Sequence, residues 1–105
     1  QVAPNNRIVE MGAGSGYWTK LMRARGLDVI AYDIDAHDDP KSTVSKGTKL
    51  HQIRHTKVLV GGAEMCRMHK DRALLLCWPP KDNGMAYDSL MNYYGDIVIY
   101  VGEWE

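Results

Sequence analysis

The sequence has few cysteines and no long apolar run, and each shortage excludes classes of protein. Its 105 residues include only two cysteines, Cys66 and Cys77, which form no CxxC pair. We therefore expect neither a disulfide framework nor a zinc finger, and we expect a reducing, cytoplasmic compartment. The longest apolar stretch, Ala73–Pro80, falls far short of the roughly 20 residues that cross a membrane. No basic segment precedes an apolar one, so we expect neither a signal peptide nor membrane association.

Net charge is also absent, although the charges are unevenly distributed. Thirteen basic side chains balance thirteen acidic ones, but Lys41–Arg72 holds eight basic residues and only two acidic ones. Such a basic block can attract an anionic partner, nucleic acid among them. The plainer alternative is a solvated loop and helix face, and both interpretations stay open. His51 and His55 are four positions apart, but no third ligand lies near them in the sequence, so we predict no metal site.

Apolar segments alternate with amphipathic ones, which predicts strands that alternate with helices. The predicted strands are Arg7–Met11, Leu27–Tyr32, Thr56–Val60, Ala73–Trp78 and Ile97–Val101. The predicted helices are Ser15–Arg25, Ala63–Lys70 and Met85–Tyr94, and Asp33–Gln52 is mostly loop. This alternation predicts an α/β fold, a single domain over residues 1–105, with a parallel sheet of about five strands in the order 3-2-1-4-5 and flanking helices. Ligands of such sheets bind at the carboxyl ends of the strands.

The helices carry apolar residues at helical spacing. Tyr17 and Trp18 share a face with Leu21 and Met22, and we expect the two aromatic rings to pack in the core. The alternative is that one of them, at the start of the helix, contacts the amino-acid end of a bound cofactor. In the last helix, Tyr87, Leu90, Met91 and Tyr94 fall on one side.

A glycine-rich turn between the first strand and the first helix carries the strongest chemical signal. It runs from Gly12 to Gly16, with Glu10 two residues before it and Asp33 directly after the second strand. Glycines let a ligand approach the main chain, and the helix start behind them offers N–H groups. A carboxylate at Asp33 can accept both hydroxyls of a ribose, as in dinucleotides or in a sulfonium nucleoside. The charge of Glu10 would repel a pyrophosphate, so it disfavours a nicotinamide oxidoreductase and favours a cationic ligand.

These residues resemble the first two motifs of the class I S-adenosylmethionine-dependent methyltransferases, a Rossmann-like family. The family's first motif, an apolar residue, an acid and G-x-G-x-G, corresponds to Val9–Gly16, and its second motif corresponds to Asp33. The resemblance implies S-adenosylmethionine as cofactor, with Ile34 and the segment Gly62–Glu64 beside the adenine, and it places Cys77 at the fourth motif. The cofactor-binding residues that it implies are Glu10, Gly12, Ala13, Gly14, Gly16, Asp33, Ile34, Ala63, Glu64 and Cys77. From the sequence pattern alone, the Cys77 thiol would pack in the core.

The fourth motif also gives a candidate acceptor pocket, formed by Trp78, Pro79 and Pro80. Amino-methylating members of the family often have Asp, Asn or Ser where Trp78 stands, and an indole ring has no oxygen that could accept a substrate N–H. The pattern identifies neither the acceptor nor a general base, and the alternative is a non-catalytic binding domain of the same fold. The family's further strands have no counterpart after Ile97–Val101. We therefore expect that strand to self-associate or to be covered by a longer polypeptide.

Overall fold

The structure, a computed structural model, describes residues 6–36, 56–79 and 84–102. Its strands are β1 (Arg7–Met11), β2 (Asp28–Asp33), β3 (Leu59–Val60), β4 (Ala73–Cys77) and β5 (Val98–Val101). Its α-helices are α1 (Tyr17–Ala24) and α2 (Met85–Asn92), and a 3₁₀ helix covers Ala63–Met68. The strands form one parallel sheet in the order β3-β2-β1-β4-β5. This confirms the predicted Rossmann-like α/β fold and its strand order.

The centre of the sheet is buried on both faces. Val9 of β1 pairs with Ile30 of β2 and Leu74 of β4, and side chains alternate between the two faces along each strand. One face packs under the 3₁₀ helix and α2, and its buried residues are Val9, Met11, Tyr32, Cys66, Leu74, Leu76 and Tyr93. The smaller cluster on the other face is Ile8, Val29 and Leu75, with Met22 of α1 packed against it. Burial on both faces explains why these strands read as continuous apolar runs.

Several predicted helices and strands are longer than the observed ones. α1 begins at Tyr17 rather than Ser15, because Gly16 precedes it with a left-handed φ of 88°. β3 covers two residues rather than five, since Thr56 and Val58 contact the turn at Gly16 instead of pairing with β2. β4 ends at Cys77, one residue before the predicted Trp78.

The remaining corrections concern the later helices and the last strand. The helix predicted over Ala63–Lys70 is a 3₁₀ helix that ends at Met68. α2 ends at Asn92 because Tyr93 is extended and its buried hydroxyl donates to the Arg72 carbonyl. β5 begins at Val98, one residue after the predicted start.

The helix faces differ from the predicted ones. Tyr17 and Trp18 are 51% and 46% exposed, so their expected core packing is wrong. α1 instead turns Thr19 to the sheet, with Met22 one turn further along the same face. On α2, Ser89 is buried, while the predicted apolar side is exposed. That side consists of Tyr87, Leu90, Met91 and Tyr94.

Some predictions fall outside the described residues. They are the larger part of the Asp33–Gln52 loop, the pair His51 and His55, and Pro80. Within the described ranges, no helix combines the length and the apolar character needed to cross a membrane. The same ranges contain no cluster of three or more His, Cys, Asp or Glu side chains that could hold a metal ion.

Candidate functional site

The glycine turn is anchored to the end of β2. Met11 and Tyr32 are register partners at the carboxyl ends of β1 and β2. The Gly12 and Ala13 amides both donate to the Tyr32 carbonyl, each at 2.9 Å. The chain therefore leaves β1 and bends directly over the end of β2. The start of α1 follows immediately.

Asp33 closes the turn from the opposite side. Its Oδ2 accepts a hydrogen bond from the Gly14 amide at 2.8 Å, and its Oδ1 accepts one from the Asp35 amide at 2.8 Å. Gly14 has a φ of 62°, a region that residues with a side chain rarely adopt. Among the described residues, no heavy atom lies within 4 Å of the position that a Gly14 Cβ would occupy. The outer side of the turn is therefore open for a ligand, with the Asp33 carboxylate beside it.

Gly12 lies under a side chain from the opposite layer. A Cβ at Gly12 would lie 2.5 Å from Cε of Met85, the first residue of α2. The hydroxyl of buried Ser89 donates to Met85 Sδ at 3.6 Å, which steadies that thioether. The absence of a side chain at Gly12 thus lets α2 approach the turn. This contact links the glycine turn to the element that precedes β5.

Glu10 lies beneath the turn in an almost fully buried position. It is 1% exposed, and Thr19 of α1, itself fully buried, donates a hydrogen bond to its Oε1. Loss of solvent raises the pKa of the Glu10 carboxyl, while the Thr19 hydrogen bond and the nearby Arg23 oppose that rise and Asp33 adds to it. The charge of Glu10 would therefore act on a ligand at the turn across the low-dielectric interior, without direct contact.

The residues expected beside the adenine lie together at the ends of β2 and β3. A Cβ at Gly62 would lie 2.9 Å from Glu64 Oε1 and 3.4 Å from Ile34 Cγ2. Ile34 is 70% exposed, and Ala63, which begins the 3₁₀ helix, is half-buried. The Gly61 amide donates to the Asp33 carbonyl at 3.2 Å, which joins this group to the acid at the end of β2. The exposed Ile34 beside Gly62 forms an apolar surface suited to a flat ring.

The end of β4 brings two different side chains to the same edge. Cys77 is half-buried and packs against the cluster of Ile8, Val29 and Leu75, as the sequence pattern alone predicted. Burial raises the pKa of its thiol, and the nearby Glu10 raises it further. Trp78 leaves the strand with a φ of 50°, and its amide donates to the Val101 carbonyl at 2.6 Å.

The indole of Trp78 remains at the surface. It is 59% exposed. A Cβ at Gly102 would lie 3.5 Å from both Trp78 Cε3 and Tyr100 Cε1. Pro79 follows as a half-buried residue. Left-handed backbone at a tryptophan is strained, and such strain is concentrated at functional sites.

The basic block Lys41–Arg72 is described only from Thr56 onward. Arg67 donates to Asn92 Oδ1 at 2.6 Å. Arg72 donates to the carbonyls of Asp28 and Ile8 at 2.9 and 3.3 Å and pairs with the Asp28 carboxylate. These two arginines therefore hold elements of the fold together. Lys57 and Lys70 are exposed.

A comparison with protein families decides how the glycine turn is interpreted. A family model described as a methyltransferase domain matches residues 2–83, which include the turn, the acid at the end of β2 and the end of β4. The chain belongs to this family. Searches among curated proteins and among solved structures return no match. Membership of the methyltransferase-domain family confirms the resemblance drawn from the glycine and acid motifs, and it supports a methyltransferase-type function.

Sequence reasoning missed three side chains of this site. Thr19 and Met85 both stand in helices where the apolar pattern predicted a different buried face. Arg23 donates to Val29 O at 2.7 Å, Thr56 Oγ1 at 2.9 Å and Lys57 O at 3.0 Å, and so ties α1 to β2 and to the approach to β3. Thr19 lies one turn before Arg23 and therefore on the same side of the helix. That spacing groups the two residues, but it does not indicate that their side of the helix faces Glu10.

Proposed function

We propose that the chain binds S-adenosylmethionine over the glycine turn and transfers its methyl group to an acceptor held beside Trp78. The observation that carries this proposal is the open Gly14 turn between a buried Glu10 and the Asp33 carboxylate. Among sheet-edge sites, this combination suits a ligand that carries both a ribose and a positive charge.

The residues present fit the ribose and adenine of that cofactor. Each Asp33 oxygen accepts one backbone hydrogen bond and keeps a second lone pair, so the carboxylate can also accept two ribose hydroxyls. The open space in front of Gly14 lets the ligand reach the main chain. Ile34, Ala63 and Glu64 would then border the adenine, and the turn residues Gly12, Ala13 and Gly16 would hold the methionine portion.

Charge favours this cofactor over a dinucleotide. S-adenosylmethionine supplies a methyl group on a positively charged sulfur, which the lone pair of an acceptor can take directly. The buried Glu10 carboxylate, the half-buried Asp33 carboxylate and the start of α1 suit a zwitterion with a cationic centre. A pyrophosphate would instead bring negative charge to two acids. The chain mainly has to align the reactants and exclude water, and alignment alone can supply effective molarities of ~10⁵ M or more.

The acceptor side of the proposed site is the wall formed by Trp78 and Pro79. Cys77, directly before Trp78, lies close enough to Glu10 for the two groups to interact electrostatically. The exposed side chain of Trp78, whose backbone amide donates to the Val101 carbonyl, offers an apolar surface at this position. It has no oxygen that could accept an N–H, so the proposal assigns no amine-recognition role to it.

Isothermal titration tests the cofactor part of the proposal. The wild-type chain is titrated with S-adenosylmethionine, S-adenosylhomocysteine and NAD under the same conditions. We expect the first two to bind and NAD not to bind. Binding of NAD alone would contradict the charge argument and the proposed function.

A methyl-transfer assay separates an enzyme from a non-catalytic binding domain. The chain is incubated with radiolabelled S-adenosylmethionine and a panel of small-molecule, protein and nucleic-acid acceptors, with Asp33→Ala as the binding-deficient control. Label transfer by the wild type and not by the control supports the enzyme. Tight cofactor binding without transfer to any class would instead favour the non-catalytic domain.

A further inference from the structure

Thr19 and Glu10 form a buried polar pair under the candidate cofactor site. Glu10 is the fourth residue of β1, and Thr19 faces it from the first turn of α1. Thr19 is 0% exposed and Glu10 is 1% exposed, and the hydroxyl donates to Oε1 of the carboxylate. The glycine turn is the chain that joins these two residues. Thr19 is therefore the side chain through which α1 holds the acid beneath the turn.

Other charged and titratable groups also face this carboxylate. From α1, Arg23 is one helical turn beyond Thr19, with its guanidinium bonded to Val29 O, Thr56 Oγ1 and Lys57 O. Asp33 approaches from β2 and Cys77 from β4, and both interact with Glu10 electrostatically. The Arg23 guanidinium is hydrogen-bonded to those three oxygens and acts on Glu10 electrostatically, whereas the Thr19 hydroxyl donates a hydrogen bond directly to the carboxylate. That hydrogen bond favours the charged form of Glu10.

We propose that Thr19 is a positioning residue that holds Glu10 as an oriented anion beneath the turn, and so makes the site prefer a cationic sulfonium over an uncharged thioether. This inference rests on the proposed cofactor site and extends it to discrimination between the methyl donor and its demethylated product. Burial raises the pKa of the Glu10 carboxyl and the Thr19 hydrogen bond opposes that rise, so removal of the hydroxyl should raise the pKa further.

The two ligands make a clean probe of this role. S-adenosylmethionine and S-adenosylhomocysteine share the adenosine, the ammonium and the carboxylate, and they differ in one methyl group and one positive charge. A variant that only loosens the fold weakens both ligands by a similar factor. A variant that removes the charge of Glu10 weakens the sulfonium selectively. The ratio of the two dissociation constants therefore reports on the charge beneath the turn.

The experiment compares wild type, Thr19→Val and Thr19→Ser, with circular dichroism as a check on folding. Valine keeps the shape of threonine and removes the hydroxyl, whereas serine keeps the donor. Both dissociation constants are measured by calorimetry across the acidic to neutral range. In the ligand-free protein, the Glu10 carboxyl is titrated by carbon-13 NMR and assigned with Glu10→Gln. If Thr19→Val does not give the wild-type spectrum, Thr19→Ala takes its place.

We expect Thr19→Val to move the Glu10 titration upward, since a hydrogen bond to the charged form is lost. Between the two titration midpoints the preference for the sulfonium then falls by several-fold or more, and Thr19→Ser restores both. An unmoved Glu10 titration, or an unchanged ratio of the two dissociation constants, overturns the inference. If the wild type binds neither ligand, the proposed function fails, and the NMR titration alone then decides whether Thr19 controls Glu10.

Discussion

The Asp33 carboxylate and the Gly14 amide are joined by a hydrogen bond of 2.8 Å across the candidate site. Asp33, the last residue of β2, therefore holds the glycine turn in place and also lies beside the proposed ligand position. Half of its lone pairs are committed to backbone amides, of Gly14 and Asp35, and the others remain for a ligand. In the proposed site, the position of the turn and the binding of the ligand thus depend on the same side chain.

Asp33→Ala is expected to weaken binding of S-adenosylmethionine by about 1–3 kcal/mol, the usual cost of losing charged hydrogen bonds. The loss has two sources, since the ribose contacts and the support of Gly14 disappear together. Calorimetric titration measures the change. Asp35→Ala is the matched control, because it removes an exposed negative charge two residues away and keeps the backbone amide. Equal effects of the two variants would contradict the specific role of Asp33.

Gly14→Val is expected to abolish cofactor binding in a folded protein. Among the described residues no heavy atom lies within 4 Å of its Cβ position, so the side chain has room, but it would stand in the ligand's path. Gly26→Val is a close control, because Gly26 also has a left-handed φ, 87°, and open space around its Cβ position within the described chain. It lies just after α1, away from the turn.

Both glycine variants should lose stability through backbone strain, at least the roughly 1–2 kcal/mol typical of a left-handed residue. Only Gly14→Val should lose the ligand. Unchanged affinity in a folded Gly14→Val protein would show that the turn does not hold the cofactor. Thermal unfolding and calorimetry together separate the two effects.

The features that were predicted from the sequence are those set by residues close together in the chain. β1 and the glycine turn after it were predicted correctly because a short strand and positive-φ glycines are set by neighbouring residues, whereas Asp33, predicted directly after the second strand, is the last residue of β2. The parallel strand order then followed from the alternation of strands and helices. The spacing of the acid and the glycines therefore defined the candidate site before any long-range contact was known.

The buried faces of α1 and α2 could not be predicted in the same way. An apolar pattern assigns the buried side to aromatic and aliphatic residues, but the residues that turn inward are Thr19 and Ser89. Thr19 bonds to Glu10, and Ser89 bonds to Met85 and to the thiol of Cys66. The Thr19–Glu10 and Ser89–Cys66 pairs join different elements, and the apolar pattern along one helix does not reveal such partners. Propensity is overridden by such tertiary contacts.

Glu10→Gln is expected to stabilise the ligand-free protein at neutral pH and to weaken binding of the methyl donor. Folding raises the pKa of Glu10, chiefly through burial. The folded state therefore binds this proton more tightly than the unfolded state does. The carboxyl contributes stability at low pH, and that contribution is lost as the pH rises through the raised pKa.

Denaturant unfolding of wild type and Glu10→Gln across the acidic to neutral range tests whether the stability contributed by Glu10 falls as the pH rises. The stability advantage of the glutamine variant should grow with rising pH and should shrink under acidic conditions. Glu64→Gln, at an exposed glutamate of the same site, is the matched control for removing one carboxylate. A glutamine advantage that is largest at low pH would be inconsistent with a buried, reluctantly ionised Glu10.

Trp78→Asn is expected to change the free energy of unfolding by no more than about 1 kcal/mol. Asparagine tolerates the left-handed backbone, which relieves strain of roughly 1–2 kcal/mol and offsets the lost ring contacts. The indole is 59% exposed, so little buried area is lost. Leu76→Ala, fully buried in the same segment, should instead cost about 2–5 kcal/mol.

The functional readout of Trp78→Asn separates the two halves of the site. Affinity for S-adenosylmethionine should stay at the wild-type value, while KM for an acceptor found in the methyl-transfer assay should rise. Reduced cofactor affinity with an unchanged acceptor KM would instead place Trp78 in the cofactor half of the site.

The open edge of β5 underlies the last prediction. β5 pairs with β4 alone among the described strands. The Ile97 and Val101 carbonyls accept hydrogen bonds from Leu74 and Trp78 of the β4 segment. Because backbone groups alternate along a strand, the N–H and C=O of Val98 point away from β4. Val98 is also 45% exposed, so an apolar side chain accompanies an outward-facing backbone.

We propose that this edge pairs with β5 of a second copy, since an exposed apolar edge without proline or lysine favours strand addition. Val98→Lys should shift the chain toward monomer, because a charged edge residue opposes such pairing. Light scattering coupled to gel filtration measures the mass over a range of concentrations. Val60→Lys is the control, as it adds the same charge to exposed β3 at the opposite edge, where a two-residue strand offers little to pair with. A wild-type monomer at every concentration, or equal dissociation by both lysine variants, would refute pairing through β5.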